Sequence, residues 1–504
     1  TRAPGWRDAS GVDEGKLNLL ADSEFSNGGR LRVRAAGSVL NQETAGFIQG
    51  FESYKDEAIA KSNPNPEAFR DASSARVAVH YLQQGVLTGD DDVELAALYR
   101  RSRMDFIQHF LIGKPLEHNA QTSYLLSGSD DIPLGRFRLH AVVDAEIADT
   151  ELNEYQPNPS TDGTPAQNAI RPAGFHYDYT VDSWTVGGTL SLEYRPVEAF
   201  TATAAVRANW TNYNYDNLMI DGNTRDDGTS CPGAGCLYSR PADRTDQFDN
   251  VSPSVTLAWR ATPAQLLYVN GSTGFRPPEM TEMYRLQRQQ SVADLDSEEL
   301  DSVELGWKLH TGTTSLSAAL YDMKKRHVIL REANGFNVSD GATSHRGFEY
   351  EWRQRFGGEP LTLTLSGTVA RHLYDFSRSV DGGETIIKGN DVDTAPRNIH
   401  TMALDWIVGP ARAASEFELH LDGTWLGPYY LDAANTATYS GHKVANFRTS
   451  WLPTGDARRL RVDLRIDNLF DTAYADRADF AFGNYRYFPA RGRAFFVSFD
   501  YTGG

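Results

Sequence analysis

Three clusters of arginine and tyrosine mark where this chain could do chemistry. Tyr284, Arg285 and Arg288 share the stretch Met283-Tyr284-Arg285-Leu286-Gln287-Arg288, Tyr429 and Tyr430 are adjacent, and Arg486 and Tyr487 follow Tyr485. A guanidinium offers forked, charge-assisted hydrogen bonds and a phenol ring offers a stacking face. Together they suit an anionic, aromatic small molecule. The same residues also suit packing at an interface with an apolar phase, where aromatics concentrate. Cys231 and Cys236, the only cysteines, stand in Ser-Cys-Pro-Gly-Ala-Gly-Cys. They could be half a zinc site, but no nearby Cys or His completes one. The turn-forming spacer points instead to a small disulfide loop and an oxidising compartment. Asp90-Asp91-Asp92 and Asp226-Asp227 could attract Ca²⁺, but their spacing matches no standard calcium loop, so solvated turns are expected.

Catalytic patterns are missing. Gly-x-Ser-x-Gly, His-Glu-x-x-His and the phosphate-binding loop do not occur, and the 12 His are scattered. The expectation is a protein that is not an enzyme and needs no resident metal or cofactor. Net charge is −18 with a pI near 5.1, which argues against nucleic acid as a partner.

The elements that must position these side chains show a period of two. Arg30-Leu31-Arg32-Val33-Arg34-Ala35 alternates, as do Val303 to His310, Leu361 to Ser366 and Leu460 to Asp467. One face is apolar and the other polar, which is the mark of a strand with two different environments. About nineteen such segments can be read, many of ten residues or more. Soluble strands usually run to five or six residues, whereas a tilted strand needs nine to eleven to cross a bilayer. Mean hydropathy is −0.48 and no apolar run reaches the length of a membrane helix. A transmembrane barrel reads this way, because only alternate residues meet lipid.

The connections alternate too. Short turns at Ser26–Gly29, Pro133–Gly135, Pro196–Ala199, Thr262–Ala264 and Gly357–Pro360 interleave with long polar loops near 41–74, 103–119, 153–182, 215–248, 278–298, 376–394 and 475–490. Sorting loop lengths onto two rims is an outer-membrane barrel habit. On that reading Arg30, Arg32, Arg34, Arg461, Asp463, Arg465 and Asp467 line the lumen, while Leu460, Val462, Leu464, Ile466, Phe495, Val497, Phe499 and Tyr501 face lipid. An odd strand count conflicts with the even counts of single-chain bacterial barrels, so a further strand is expected before residue 16.

Several stretches resemble the TonB-dependent outer-membrane receptor family, in order and spacing across the second half of the chain. They are Gly274-Phe275-Arg276-Pro277-Pro278-Glu279, Leu295-Asp296-Ser297-Glu298, Ser302-Val303-Glu304-Leu305-Gly306, Asn337-Val338-Ser339-Asp340 and His345-Arg346-Gly347-Phe348-Glu349. Near the end come Asp467-Asn468-Leu469-Phe470-Asp471, Ala473-Tyr474, Arg486-Tyr487-Phe488-Pro489 and Gly492-Arg493. The first half is similar mainly in strand and loop rhythm. The resemblance implies an all-β, 22-stranded antiparallel transmembrane barrel filled by an N-terminal plug. It also implies a TonB box contacting the TonB complex, and outer loops that bind a scarce nutrient, most often a ferric siderophore or other iron complex. Partners would then include outer-membrane lipid and lipopolysaccharide, with a multi-pass location in the bacterial outer membrane. Neither plug nor TonB box is read here, and Thr502-Gly503-Gly504 replaces the usual terminal aromatic. Residues 1–504 are therefore expected to be the barrel portion, with the first strand and plug absent. The competing readings are a passive porin-like channel, against which the strand number counts, and a soluble all-β glycan-binding or hydrolytic protein, against which strand length counts.

Overall fold

The computed structural model describes residues 1–357, 360–409, 415–453 and 460–502. Twenty antiparallel strands form one hydrogen-bonded ladder in chain order. The first seven are β1 (Arg2–Ala3), β2 (Val12–Glu24), β3 (Arg30–Glu43), β4 (Phe69–Gln84), β5 (Asp92–Ile107), β6 (Leu116–Leu134) and β7 (Phe137–Gln156). The next seven are β8 (Gly174–Val197), β9 (Phe200–Asn217), β10 (Arg244–Thr262), β11 (Gln265–Arg276), β12 (Glu298–His310), β13 (Thr314–Arg331) and β14 (Asn337–Phe356). The last six are β15 (Leu361–Tyr374), β16 (Asn398–Val408), β17 (Ser415–Leu426), β18 (His442–Pro453), β19 (Leu460–Asp467) and β20 (Ala494–Tyr501).

Nineteen of the twenty have eight residues or more. The twentieth, β1, is a two-residue piece pairing with the start of β2, where Thr1 and Glu14 exchange backbone bonds. Strand pattern thus begins earlier than Lys16. Among the described residues no pairing joins β20 to β2, so the ladder ends on those two edges.

The faces separate as the alternation requires. On β7 the outer residues Phe137, Leu139, Ala141, Val143, Ala145 and Ile147 are apolar and then give way to Asp149 and Glu151. Val143 and Ile147 are 64 % and 58 % exposed. Trp184–Tyr194 on β8 and Phe200–Trp210 on β9 repeat the band. Ten steps of about 3.3 Å, tilted by about 40°, give an apolar belt roughly 25 Å tall, the height of a bilayer's hydrocarbon. On β19, Leu460, Val462, Leu464 and Ile466 stand opposite Tyr501, Phe499, Val497 and Phe495 of β20 on the same outer face. The inner face is polar. Arg207 forks onto Asp144 at 2.8 and 3.0 Å, Arg32 meets Asp22 at 2.7 Å, and Arg30 meets Glu24 at 2.6 Å. Arg34 stands opposite Leu20, Arg461 reaches Glu418 and Asp463, and Arg465 reaches Asp467 while lying over the Phe496 ring.

Short turns occupy one rim and longer connections the other. One long-side connection, 427–441, goes unread in the sequence because its own short strand pair, Tyr429–Tyr430 with Thr438–Tyr439, mimics ladder alternation. Another, between β13 and β14, is only five residues long, because both strands climb well past the apolar belt before turning. The turn expected at Gly357–Pro360 falls on residues 358 and 359, outside the described residues, as do Gly503 and Gly504. The Asp91 carboxylate is buried and caps its turn by accepting from the Leu87, Thr88 and Gly89 amides, so it is a structural cap and not a solvated side chain. Burial opposes its ionisation, but the backbone donors outweigh that and hold its pKa down to about 2. Asp227 bonds Thr229 and Asp226 accepts from the Phe175 amide.

Candidate ligand-binding mouth

Above the belt, the inner side chains of β7 to β10 turn aromatic. Tyr177, Tyr179 and Val181 of β8, Tyr215 of β9, Phe248 of β10 and Leu152 of β7 are buried together. Met283, Tyr284, Leu286, Ala293 and Leu295 of the connection 277–297 fold inward onto them. The Tyr284 ring stacks on Tyr215 with centroids 4.2 Å apart, and its hydroxyl donates to Asp246 at 2.8 Å. Next to it, Arg285 bridges Glu117 of β6, at 3.0 Å, and Glu154 of β7, while lying over the Tyr177 ring. Glu154 is fully enclosed and also takes bonds from the Gln108 amide at 2.9 Å and from His176 Nδ1 at 2.8 Å. Burial would raise the Glu154 pKa. The Arg285 charge and the His176 and Gln108 bonds overcome it and hold the carboxyl at about 2.

A second packed lobe closes the other side of the rim. Ala475–Ala481, Asn484–Pro489 and Ile48–Gln49 form a three-stranded sheet. The Tyr429 hydroxyl donates to the Ala478 carbonyl and accepts from its amide, at 3.1 and 3.0 Å. Tyr439 does the same with Ala475. Burial pushes the Tyr429 phenol up to about 12. Tyr487 packs on Tyr54 at 5.0 Å, and Arg486 donates to Asp479 at 2.7 Å between the Phe47 and Phe482 rings.

These contacts sort the residues singled out in the sequence. Tyr284, Tyr429, Arg486 and Tyr487 are buried where ligand contact was expected; Tyr284, Tyr429 and Arg486 bond within the protein and brace loops, whereas the Tyr487 hydroxyl has no hydrogen-bond partner and its ring packs on Tyr54. Arg285 keeps about a fifth of its side chain exposed. Tyr430 is half-buried, and Arg288 is exposed, in a left-handed backbone conformation with φ 60°. The set does not converge on one point: the stretch 284–288 belongs to the first lobe, and residues 429, 430, 486 and 487 to the second.

One accessible feature is new. The Leu237 amide bonds the Ile170 carbonyl at 2.9 Å, and the Leu237 carbonyl accepts from the Arg288 amide at 2.7 Å. Two loops are thereby laid side by side and Arg171 comes near Arg288. Burial, the nearby Tyr238 and Asp groups opposing, and the charge of Arg288 together leave the Arg171 pKa below its ordinary value. Among the described residues neither arginine makes an ion pair within 4.0 Å, although Arg171 does donate to the Gln167 carbonyl. Arg171 carries no sequence signal, because only the stacking of loops separated by more than a hundred residues makes it a neighbour of Arg288. Cys231 and Cys236 are bonded on the same loop system, with Cα atoms 4.8 Å apart and a turn through Gly233 and Gly235. Among the described residues no group of three or more His, Cys, Asp or Glu is arranged to hold a metal ion.

A family model described as TonB dependent receptor-like, beta-barrel, matches residues 13–469. The chain belongs to this family. Its TonB-dependent receptor barrel is similar in fold to solved structures at low identity. The ferric yersiniabactin uptake receptor FyuA from Yersinia pestis has a TM-score of 0.72 at 14 % identity, covering 98 % of this chain and 70 % of that one. The ferric citrate transporter FecA in its unliganded form has a TM-score of 0.74 at 14 % identity, covering 98 % and 71 %. The siderophore receptor PiuA from Acinetobacter baumannii has 0.74 at 12 % identity, covering 99 % and 75 %. TonB-dependent receptor barrels lie in the outer membrane, act with TonB on small-molecule ligands, and are receptors and transporters, not enzymes.

Proposed function

We propose that this barrel is the multi-pass outer-membrane part of a TonB-energised importer of a scarce nutrient, an anionic iron chelate such as a ferric siderophore. The observation that carries the reading is the Arg171 and Arg288 pair, two arginines on adjoining loops at the mouth, neither of which makes an ion pair within 4.0 Å among the described residues. Like charges are held together at a cost unless an anion sits between them, and a chelate rich in carboxylate or catecholate oxygens supplies one. Arg285 and Tyr430 are partly exposed, one on each lobe. The buried tyrosines hold the loops in position, and lipid and lipopolysaccharide surround the outer belt.

The test is uptake of radiolabelled ferric siderophores by a deletion strain carrying the intact gene, with Arg171→Ala and Arg288→Ala variants. Each substitution should weaken chelate binding roughly tenfold or more, the worth of a charge-assisted bond. Collapse of the proton-motive force should stop uptake. Uptake that continues without it would favour the passive, porin-like reading.

A further inference from the structure

Among the described residues one close histidine pair lies on the lumen wall, away from the mouth lobes. His345 of β14 stands directly opposite His372 of β15, and Met323 of β13 stands directly opposite His345. All three share the inner face, since the intervening Asp322, Arg346 and Arg371 are exposed on the outer one. Those outer charges also place the row above the apolar belt. The two Nδ1 atoms face each other at 2.8 Å, and His345 Nε2 lies 2.9 Å from the Thr343 hydroxyl. Two imidazoles with converging nitrogens and a thioether one strand away make a ligand set.

We infer that Met323, His345 and His372 form a copper-binding site on the upper lumen wall, selective for Cu(I). Metal–nitrogen bonds of about 2.0 Å at a tetrahedral angle place two nitrogens about 3.3 Å apart. The observed pair needs to open by only about half an ångström, which a small turn of either ring provides, because the ring torsion is soft. Directly opposite residues on an antiparallel ladder have Cβ atoms about 4.5–5.5 Å apart, so the unbranched Met323 reaches the same point. Just below the row, Gly347 leaves room for the Tyr321 ring to lie across β14 towards Ala370, flooring the site. The charges around it are already paired: Lys325 with Glu298 at 2.7 Å, and Asp391 with Arg371 and Arg397. An oxygen-poor set excludes Ca²⁺ and Mg²⁺, imidazole is shared by Zn²⁺ and copper, and the thioether selects Cu(I). This site does not depend on what the importer carries.

The test is titration of the detergent-purified, chelator-stripped protein with Cu(I), against a competing chromogenic chelator, and separately with Zn²⁺. One equivalent of Cu(I) should bind more tightly than Zn²⁺. His345→Ala and His372→Ala should each weaken Cu(I) binding about a hundredfold. Met323→Leu should weaken Cu(I) about tenfold and leave Zn²⁺ unchanged. His345→Asn and His372→Asn serve if an alanine variant loses the heat-modifiable gel shift of a folded barrel. Cu(I) binding that persists in the double histidine variant would overturn the site. Equal loss of Cu(I) and Zn²⁺ in Met323→Leu, or no loss of either, would overturn its assignment to copper.

Discussion

Glu154 ties the connection 277–297 to the barrel wall at the mouth. It is fully enclosed and satisfied by Arg285, His176 and Gln108. Removing one member of a buried ion pair typically costs about 3–5 kcal/mol, because the partner charge stays buried. Glu154→Gln should therefore release the connection 277–297 and raise amide exchange at Tyr284 and Leu286 about a hundredfold or more. The pH dependence has a definite sign. A carboxyl whose folded pKa is depressed from 4.5 to about 2 adds stability above its unfolded value and loses it as pH falls through the folded one. Exchange protection of this loop should hold from neutral pH down to about 5 and fall between about 4.5 and 2, by about 3 kcal/mol in all. Protection that stays flat to pH 2 would show that Glu154 is not the clamp. Arg285 was legible as a functional arginine, but its acid partners lie 168 and 131 residues away in the chain. Only the ladder register brings them together, and no local pattern records it.

The strands themselves were legible because each one alternates between two solvents. Leu460-Arg461-Val462-Asp463-Leu464-Arg465-Ile466-Asp467 assigns its own faces, and the register with β20 agrees residue by residue. The loops were legible only as polar tracts, since their order comes from distant packing such as Tyr429 on Ala478. The face assignment makes a mutational contrast. Leu464→Arg puts a cation into lipid and should destabilise the folded barrel by roughly 2–4 kcal/mol in urea titrations on vesicles. Ser498→Arg, on the lumen side opposite Asp463, should change it by less than about 0.5 kcal/mol. Equal effects would mean the two faces are not what they are taken to be. The disulfide is a loop-scale device. Closing so short a loop is worth about 2 kcal/mol by chain entropy. Cys231→Ser with Cys236→Ser should therefore loosen the connection 218–243 in amide exchange while leaving the ladder strands protected.

At the scale of the whole molecule, wall and mouth have separate jobs. Among the described residues every element is a ladder strand or a piece of a connection, and at the height of the apolar belt the inner wall is polar and ion-paired. A barrel of this many strands encloses a lumen wide enough for water, as narrower 16–18-stranded porins already do. Lipid cannot satisfy unpaired backbone groups, so the edges at β2 and β20 must be covered within the bilayer. Once they are, nothing among the described residues of the wall reaches across to close the passage. Arg32, Asp144, Arg207 and Arg465 line it without reaching across. The polypeptide of residues 1–504, reconstituted alone into planar bilayers, should therefore give large, weakly selective conductance or fail to insert. Chelate affinity should follow the same division. The Arg171 and Arg288 side of the mouth offers one wall of a pocket, and one wall captures a ligand weakly, since the desolvated enclosure that strengthens charged bonds is incomplete. Conductance and binding measurements on this polypeptide decide it. Tight, specific chelate binding by residues 1–504 alone would show that the loops suffice, and recognition would then have to be placed wholly in the two mouth lobes.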